Sequence, residues 1–324
     1  MPPVYWQRRF FTQKSGYYMN VSTGPIGFIG VGAIGQPIAE RLAVNHDLIV
    51  CDTNESALTA FRGKAQLMRS SAEVGSAAET VFACLPSIQA YRIAIMGPGG
   101  LIEGTRVRQF VQIGTTGPQF VREMANGLLA KGIQTVDAPV TGGSTKARDG
   151  TLAVIAAGQH EVFANVEALI RSFADKIIYI GASPGMAQTL KLINNVLSAA
   201  NLAVASELLV LGVKAGFSPD IILEVLNAGT GQNSATLTKI PDHVLPRTFD
   251  YGGRLEIVCK DLEMLLEESE LLHLQAPLSE LIVKTYRAAA LSEGVQSDMT
   301  TIIRPMERAA GVLVLGNKQP DSEV

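Results

Sequence analysis

Three closely spaced glycines lie near the start of the first strongly apolar part of this 324-residue chain. Gly30, Gly32 and Gly35 form the pattern GxGxxG, in which the first glycine permits a tight turn, the second lets a pyrophosphate approach the backbone, and the third lets a helix pack on a strand. The free N–H groups at the start of such a helix attract negative charge. The pattern therefore predicts a strand, a phosphate-binding turn through Ala33 and Ile34, and a helix.

The residues around the glycines support this interpretation, which GxGxxG alone would not secure. An apolar segment precedes them, an amphipathic segment follows them, and the next apolar segment ends at Asp52, about twenty residues beyond the central glycine. An acidic side chain there accepts hydrogen bonds from both ribose hydroxyls and repels a 2′-phosphate. We predict a dinucleotide site that prefers NAD, with NADP possible. An ordinary glycine-rich turn is the alternative.

Composition excludes several classes of function. Charged residues make up 18% of the chain and the formal net charge is -3, so the chain lacks the basic surface that nucleic acid requires. No apolar segment reaches the ~18 residues without polar groups that a membrane span needs. The 3 cysteines are widely spaced, with no CxxC pair, which favours reduced thiols, no metal site and a cytoplasmic location. We expect no nucleic-acid or membrane partner.

The hydrophobic pattern divides the chain in two. Short β-rich segments alternate with helical ones over 25–183, which predicts an α/β, Rossmann-type domain with a doubly wound parallel sheet. Helical periodicity alone continues over 184–314, which predicts an all-α domain for substrate binding and oligomerisation. Residues 1–24 are expected to be a flexible extension, with a mitochondrial presequence as the alternative, and 315–324 a disordered tail.

The individual elements follow from the same pattern. The predicted strands are IGFI, LIVC, TVFACL, QFVQI, IQTVDAP, LAVIAA and KIIYI. The predicted helices of the second domain span 186–214, 219–228, 255–273, 276–293 and 297–310. Ligands of such sheets bind at the carboxyl ends of the strands, where the segments 84–87, 114–118 and 137–143 carry small or hydroxylated residues.

The helix predicted at 186–214 carries a polar stripe within a mostly apolar sequence. Four residues share one face because they are three, four and seven residues apart: Lys191, Asn194, Asn195 and Ser198. A lysine is costly to bury without a partner, and burial lowers its pKa, which suits an acid–base group beside a nucleotide site. The alternatives are a stripe that faces solvent and asparagines that cap a neighbouring loop.

These segments together resemble the β-hydroxyacid dehydrogenase family over nearly all of 25–312. The glycine segment is similar to the cofactor motif of that family, and DAPVTGGSTKARDGTL to its substrate motif. The segment GMAQTLKLINN is similar to its catalytic motif, and KDLEMLLEES, which begins at Lys260, to its cofactor-side motif. The four motifs occur in the order that the family has, and only their combination is specific.

The resemblance implies roles for individual residues. Lys191 would be the general acid or base, Asn195 would help to orient the substrate, and Lys260 would approach the nicotinamide. The substrate carboxylate would be held by three residues whose glycines let backbone N–H groups approach an anion closely: Thr141, Gly142 and Gly143. Further cofactor contacts would come from two loops, through Leu85, Pro86 and Thr115. The resemblance also implies a homodimer or homotetramer.

Three residues depart from the family pattern. Thr141 stands where serine is usual, which should narrow the pocket, and Gly114 replaces a serine before Thr115. Lys146 stands where glycine or alanine is usual. If the Lys146 side chain faces the pocket, its positive charge would favour a substrate with a second anionic group. The alternative is that Lys146 is a solvated lysine in a loop.

Together these features predict an NAD(P)-dependent oxidoreductase. It would transfer a hydride between nicotinamide and the hydroxyl carbon of a small 3-hydroxy acid or its semialdehyde. An imine or other carbonyl reductase on the same fold is one alternative, although the resemblance implies that such enzymes generally lack the lysine found at 191. A non-catalytic dinucleotide-binding module is another, and it would have no reason to keep Lys191, Asn195 and Lys260 together.

Overall fold

A computed structural model of the protein describes residues 24–316. The predicted extension 1–24 and tail 315–324 therefore lie largely outside the described residues. Nine strands, all before residue 182, form one sheet within the described part. They are β1 (Ile26–Ile29), β2 (Leu48–Cys51), β3 (Gln66–Leu67), β4 (Thr80–Ala83), β5 (Gln109–Gln112), β6 (Gln134–Asp137), β7 (Val140–Thr141), β8 (Leu152–Ala157) and β9 (Ala174–Gly181).

Helices connect these strands and cover the sheet. They are α1 (Gly35–Ala43), α2 (Glu55–Leu58), α3 (Ser71–Ala77), α4 (Ile88–Tyr91), α5 (Pro118–Leu129), α6 (Gly143–Asp149) and α7 (His160–Ile170). A π-helical turn, Arg92–Met96, continues α4, and short 3₁₀ turns lie at Thr59–Phe61 and Leu101–Glu103. Strands β1, β2 and β4 are buried along their whole length, as expected of a parallel sheet that helices cover on both faces.

The predicted Rossmann-type fold is confirmed, but the sheet is not parallel throughout. Strands β3, β2, β1, β4, β5 and β6 are parallel in that spatial order. Strand β8 then runs antiparallel to β6 and to β7, and β9 runs parallel to β8. A parallel neighbour would require the chain to return to the amino end of the sheet, whereas β7 and α6 stay near the carboxyl end of β6 and β8 runs back from there.

Helices and the loops between them form the described chain after β9, where the only strand-like pairing within 24–316 is an isolated bridge between Arg254 and Asp298. They are α8 (Met186–Lys214), α9 (Pro219–Ala228), α10 (Leu255–Leu271), α11 (Pro277–Glu293) and α12 (Ile303–Ala310), with a 3₁₀ turn at Met299–Ile302. A π-helical segment, Ala235–Val244, was not predicted, because Pro241 interrupts the sequence pattern there.

Helix α8 is the central element of the second half, and it packs against α10, α11 and α12. The buried Tyr286 of α11 donates a hydrogen bond to the carbonyl of Ala199, 3.0 Å away. Within the described residues, α8 alone is long and apolar enough to cross a membrane. Core helices of globular proteins share that property, and 44% of its most apolar window is buried inside the protein.

Candidate active site

The glycine turn after β1 has the geometry that a dinucleotide requires. Gly30 has a φ of +89°, and a Cβ there would lie 2.5 Å from the carbonyl oxygen of Cys84. A Cβ on Gly35 would lie 2.0 Å from the carbonyl oxygen of Gly30. A Cβ on the exposed Gly32, in contrast, would meet no atom of residues 24–316 within 4 Å, so the backbone there is open to a ligand. Two of the glycines are therefore needed for the turn itself, and the third leaves room for a pyrophosphate.

The residues that follow Gly32 leave the start of α1 available. Ala33 is exposed, Ile34 is half-buried, and no side chain caps the first turn of the helix. The N–H groups of a first turn have no partners within the helix, and the helix dipole makes that end positive. The positive and uncapped start of α1 therefore suits the negatively charged phosphate groups of a nicotinamide dinucleotide.

Asp52, directly after β2, is held next to this turn. Its Oδ2 accepts a hydrogen bond of 2.7 Å from the N–H of Val31, and its Oδ1 accepts one of 2.8 Å from the N–H of Asn54. No lysine or arginine forms an ion pair with Asp52 within 24–316. The carboxylate is therefore fixed in orientation and keeps lone pairs for the hydroxyls of a ribose.

The buried Tyr91 of α4 joins the two loops that carry the other predicted cofactor contacts. Its hydroxyl accepts hydrogen bonds from the N–H of Leu85 (3.3 Å) and of Gly114 (3.0 Å) and donates one to the carbonyl of Ala83 (2.9 Å). Pro86 is exposed next to this junction. A Cβ on Gly114 would lie 2.7 Å from the Tyr91 hydroxyl oxygen, which explains why the usual serine is absent. Sequence reasoning had not identified Tyr91.

Lys191 lies on the face of α8 that turns toward α10, and only 8% of it is exposed. Burial lowers the pKa of Lys191 to about 8, the nearby Asp261 carboxylate opposes this change, and Lys260 adds to it. Asn195, one turn further along α8, donates a 2.7 Å hydrogen bond from Nδ2 to Oδ2 of Asp261. The polar stripe on α8 therefore faces protein at these two residues, whereas Asn194 is exposed.

Lys260 of α10 connects this cluster to the sheet. Its Nζ donates a 2.7 Å hydrogen bond to the carbonyl of Thr115, in the loop after β5, and lies 3.2 Å from Oδ1 of Asp261. The buried Asp261 is therefore the centre of a cluster of four predicted residues: Thr115, Lys191, Asn195 and Lys260. Asp261 was not predicted as a site residue, although it directly follows Lys260 in the cofactor-side motif.

A second buried network fixes the start of α8. Asp137, at the end of β6, accepts hydrogen bonds at Oδ2 from the N–H groups of Gly185 (2.9 Å) and Gln188 (3.3 Å), and at Oδ1 from Nε2 of Gln188 (2.7 Å). Burial raises the pKa of Asp137 to about 6, and the hydrogen bonds from Gln188 and Gly185 act in the opposite direction. The first turn of α8 is therefore joined to the carboxyl end of β6.

Gln188 extends the same network to β5. Its Oε1 accepts a 2.9 Å hydrogen bond from the N–H of Thr116, and its Nε2 donates to Oε1 of Gln112 at 3.0 Å. Both glutamines are fully buried. Because Lys191 lies three residues after Gln188, this network also sets where the lysine lies relative to the ends of the strands.

The three residues of the predicted carboxylate site lie between β7 and α6. Thr141 is half-buried and pairs with Ala153 of β8, while Gly142 and Gly143 are exposed, with φ values of +131° and +72°. In the described part of the chain, no hydrogen bond or ion pair joins these three to Lys191 or Asn195.

Lys146 is exposed on α6, and its aliphatic chain lies against Gly142.

Comparison with known proteins identifies the family. Residues 25–181 match the family described as the NAD binding domain of 6-phosphogluconate dehydrogenase. Residues 185–306 match the family described as NAD-binding of NADP-dependent 3-hydroxyisobutyrate dehydrogenase. The chain belongs to the β-hydroxyacid dehydrogenase family. It is therefore an NAD(P)-dependent oxidoreductase of that family, as the four motifs predicted.

The similarity extends over nearly the whole length of individual relatives. The chain is 28% identical to 2-(hydroxymethyl)glutarate dehydrogenase of Eubacterium barkeri, over 90% of this chain and 98% of the relative. It shares the fold of Mycobacterium tuberculosis 3-hydroxyisobutyrate dehydrogenase with L-serine, with a TM-score of 0.79 and 24% identity over 87% of this chain and 99% of that one. An imine reductase of Streptomyces aurantiacus has a lower TM-score of 0.58, with 17% identity over 87% and 99% of the two chains.

Proposed function

We propose that this β-hydroxyacid dehydrogenase interconverts a small 3-hydroxy acid and its semialdehyde, with Lys191 as the general acid of reduction and the general base of oxidation. The observation that carries the proposal is the buried Lys191, with a lowered pKa, on the same helix face as Asn195 and close to Lys260. Strongly perturbed ionisable groups at the end of a dinucleotide-binding sheet are candidates for proton transfer.

The chemistry divides between the cofactor and the chain. A bound nicotinamide dinucleotide supplies or accepts the hydride. The ammonium of Lys191 gives its proton to the carbonyl oxygen of a semialdehyde as negative charge develops there, and its neutral amine takes the proton back in the oxidation. Asp261 accepts a hydrogen bond from the amide nitrogen of Asn195, which directs the amide oxygen away from the carboxylate. That oxygen accepts a 3.3 Å hydrogen bond from Nδ2 of Asn194 and keeps its second lone pair for the substrate.

Two groups of residues would hold the cofactor. The turn Gly30–Gly35 would bind the pyrophosphate, and Asp52 would bind the adenosine ribose. The nicotinamide end would lie near four residues: Leu85, Pro86, Thr115 and Lys260. The hydrogen bond from Lys260 to the Thr115 carbonyl supports this placement, because it connects the helical domain to the carboxyl end of β5. Since the Asp52 carboxylate disfavours a 2′-phosphate, we propose NAD rather than NADP as the preferred cofactor.

The substrate carboxylate would bind at Thr141, Gly142 and Gly143. The positive φ values of both glycines and the absence of a side-chain cap on α6 leave backbone N–H groups free for an anion. Two relatives are named for acids in which a hydroxymethyl group is attached next to a carboxylate, 2-(hydroxymethyl)glutarate and 3-hydroxyisobutyrate. Their names support a substrate of this kind.

A spectrophotometric screen tests the proposal. NADH or NADPH oxidation would be followed with small semialdehydes and with cyclic imines, and the reverse reaction with 3-hydroxy acids. Turnover with semialdehydes and hydroxy acids but not with imines is expected. Turnover with imines alone would replace the proposal by an imine reductase. Tight NADH binding without turnover of either class would indicate a dinucleotide-binding module.

A further inference from the structure

A second buried lysine, Lys239, lies in the π-helical segment Ala235–Val244 and is only 3% exposed. Its Nζ is 2.5 Å from the Oγ of Ser198 on α8 and 5.3 Å from the centre of the Tyr251 ring. Both contacts are made with neutral groups. The ammonium is therefore removed from water without a counter-charge among these partners.

The charged groups around Lys239 differ from those around Lys191. Lys191 has the Asp261 carboxylate nearby, whereas no carboxylate lies within ion-pair distance of Lys239 in residues 24–316. Burial lowers the pKa of Lys239 to about 8, and no acidic side chain among the described residues opposes this change. Buried charges are normally paired, so the protonated form of Lys239 would be stabilised by an anion from outside the chain.

Lys239 also lies along the polar stripe that contains the proposed catalytic lysine. Ser198, which holds its ammonium, is seven residues after Lys191 on α8, which corresponds to two helical turns and about 10 Å. Asn195 lies between them on the same face. Polar groups thus continue from the proposed proton donor to a buried cation.

We propose that Lys239 binds a second anionic group on the substrate, so that the enzyme prefers 3-hydroxy acids whose side chain ends in a carboxylate. The inference rests on the proposed function, because it assigns the far end of the same site. A carboxylate separated from the reacting carbon by three or four carbon–carbon bonds of about 1.5 Å, with a hydrogen bond of about 2.8 Å at each end, has a length comparable to the rise of about 10 Å along α8 from Lys191 to Ser198, which contacts Lys239.

Three acids that differ only in their side chain test this proposal: 3-hydroxyisobutyrate with a methyl group, 2-(hydroxymethyl)pentanoate with a propyl group, and 2-(hydroxymethyl)glutarate with a carboxyethyl group. The propyl acid matches the dicarboxylate in length without its second charge. We expect kcat/KM for the dicarboxylate to exceed that for the propyl acid by about 10-fold to 100-fold, since a hydrogen bond to a charged group contributes about 1.5–3 kcal/mol.

Lys239→Met should lower this ratio at least about 10-fold, mainly through the KM of the dicarboxylate, because methionine fills similar space without the charge. Lys146→Met is the matched control, since the exposed Lys146 is the other cation that the sequence places near the substrate motif. The ratio should be unchanged in that variant. A ratio near one in the parent, or a loss in Lys146→Met instead of Lys239→Met, would overturn the assignment.

Binding measurements separate this assignment from the proposed reaction. In Lys191→Ala with NADH present, calorimetry should still find tighter binding of 2-(hydroxymethyl)glutarate than of the propyl acid, and Lys239→Gln should abolish the difference. Turnover of the methyl and propyl acids at rates equal to the dicarboxylate would contradict only the role of Lys239. Absence of turnover with all three acids, together with absence of binding, would contradict the proposed function itself.

Discussion

Lys191 illustrates how the surroundings of one residue change its chemistry. Exposed lysines are protonated at neutral pH and poor at exchanging protons, whereas burial beside α10 brings the pKa of Lys191 to about 8. Asp261 limits this decrease, so the side chain can be protonated near neutral pH and still give up its proton. This balance suits the role that we propose for Lys191, an acid in one direction of the reaction and a base in the other.

Replacing Lys191 by alanine should lower kcat by about 10²-fold or more, because a positioned acid typically contributes 10²–10⁴-fold. The affinity for NADH should remain nearly unchanged. The melting temperature should be kept or slightly raised, because the change removes a buried charge. Lys131→Ala, an exposed lysine after α5, is the control and should behave like the parent. A kcat within a few-fold of the parent would reject the role of Lys191.

The pH dependence of the two directions should be opposite. Reduction requires the ammonium, so its kcat should fall as pH rises through about 8, whereas oxidation requires the neutral amine, so its kcat should rise through the same range. Initial rates between pH 6 and 10 at saturating substrate test this. At saturating substrate the rate reports kcat, which depends on Lys191. Titration of Lys239 would change KM instead. Profiles that move in the same direction would exclude a single lysine in both roles.

Asp52 should decide between the two nicotinamide cofactors. We expect kcat/KM to be at least about 10-fold higher with NADH than with NADPH, since the fixed carboxylate repels a 2′-phosphate, and Asp52→Asn should reduce that ratio. Asp47→Asn, at the amino end of the same strand, should leave it unchanged, because Asp47 is exposed at the opposite end of β2. Equal or greater efficiency with NADPH in the parent would contradict the assignment.

At the scale of elements, the attachment of α8 to the sheet determines the site. The helix has no side-chain cap of its own, and the N–H groups of Gly185 and Gln188 are instead satisfied by Asp137 from β6. The carboxylate also interacts favourably with the positive end of the helix. The first turn of α8 is therefore held more firmly than its isolated sequence would allow.

Gln188→Ala should destabilise the protein by about 3 kcal/mol, because buried hydrogen-bonding groups of Asp137 and Thr116 would lose their partner. It should also lower kcat, since Lys191 lies on the next turn. Gln119→Ala, an exposed glutamine on α5, is the control and should change stability by less than about 0.5 kcal/mol. Urea unfolding monitored by circular dichroism measures the stability of the two variants. Equal stability of the two variants would show that the network contributes little.

At the scale of the whole molecule, α8 has an apolar face that the described residues, 24–316, leave uncovered. Seven large apolar side chains on this helix are each at least 43% exposed: Met186, Leu190, Ile193, Leu197, Val204, Leu208 and Leu211. Most are three or four residues apart and therefore form one stripe along the helix. Soluble monomers rarely expose a continuous apolar surface of this extent, which favours self-association.

We propose that copies of the chain associate through this stripe into a homodimer or homotetramer. Light scattering at micromolar concentration should find the oligomer, and Leu197→Glu should dissociate it, because the charge would be buried in the interface. Leu291→Glu is the control, since Leu291 is 88% exposed and belongs to α11 rather than to the stripe on α8. A monomeric parent would contradict the proposal, and binding of the parent to lipid vesicles would point to a membrane surface as the partner.

The sequence by itself determined the features that depend on neighbours along the chain. The GxGxxG turn follows from the steric freedom of glycine, and the apolar segments of β1 and β2 from their burial on both faces. The long α8 and its polar stripe follow from helical periodicity. The Rossmann-type and all-helical halves, and the family, could be predicted from these local patterns and from the order of the four motifs.

Only the tertiary structure decided which residues meet across long separations. Lys260 binds the Thr115 carbonyl over 145 residues, Asn195 binds Asp261 over 66, and Asp137 binds Gln188 over 51. The reversal of β8 and the burial of Lys239 against Ser198 likewise depend on how separate elements pack. Periodicity specifies which face of an element is polar but not what that face contacts, because the contact depends on a partner elsewhere in the chain.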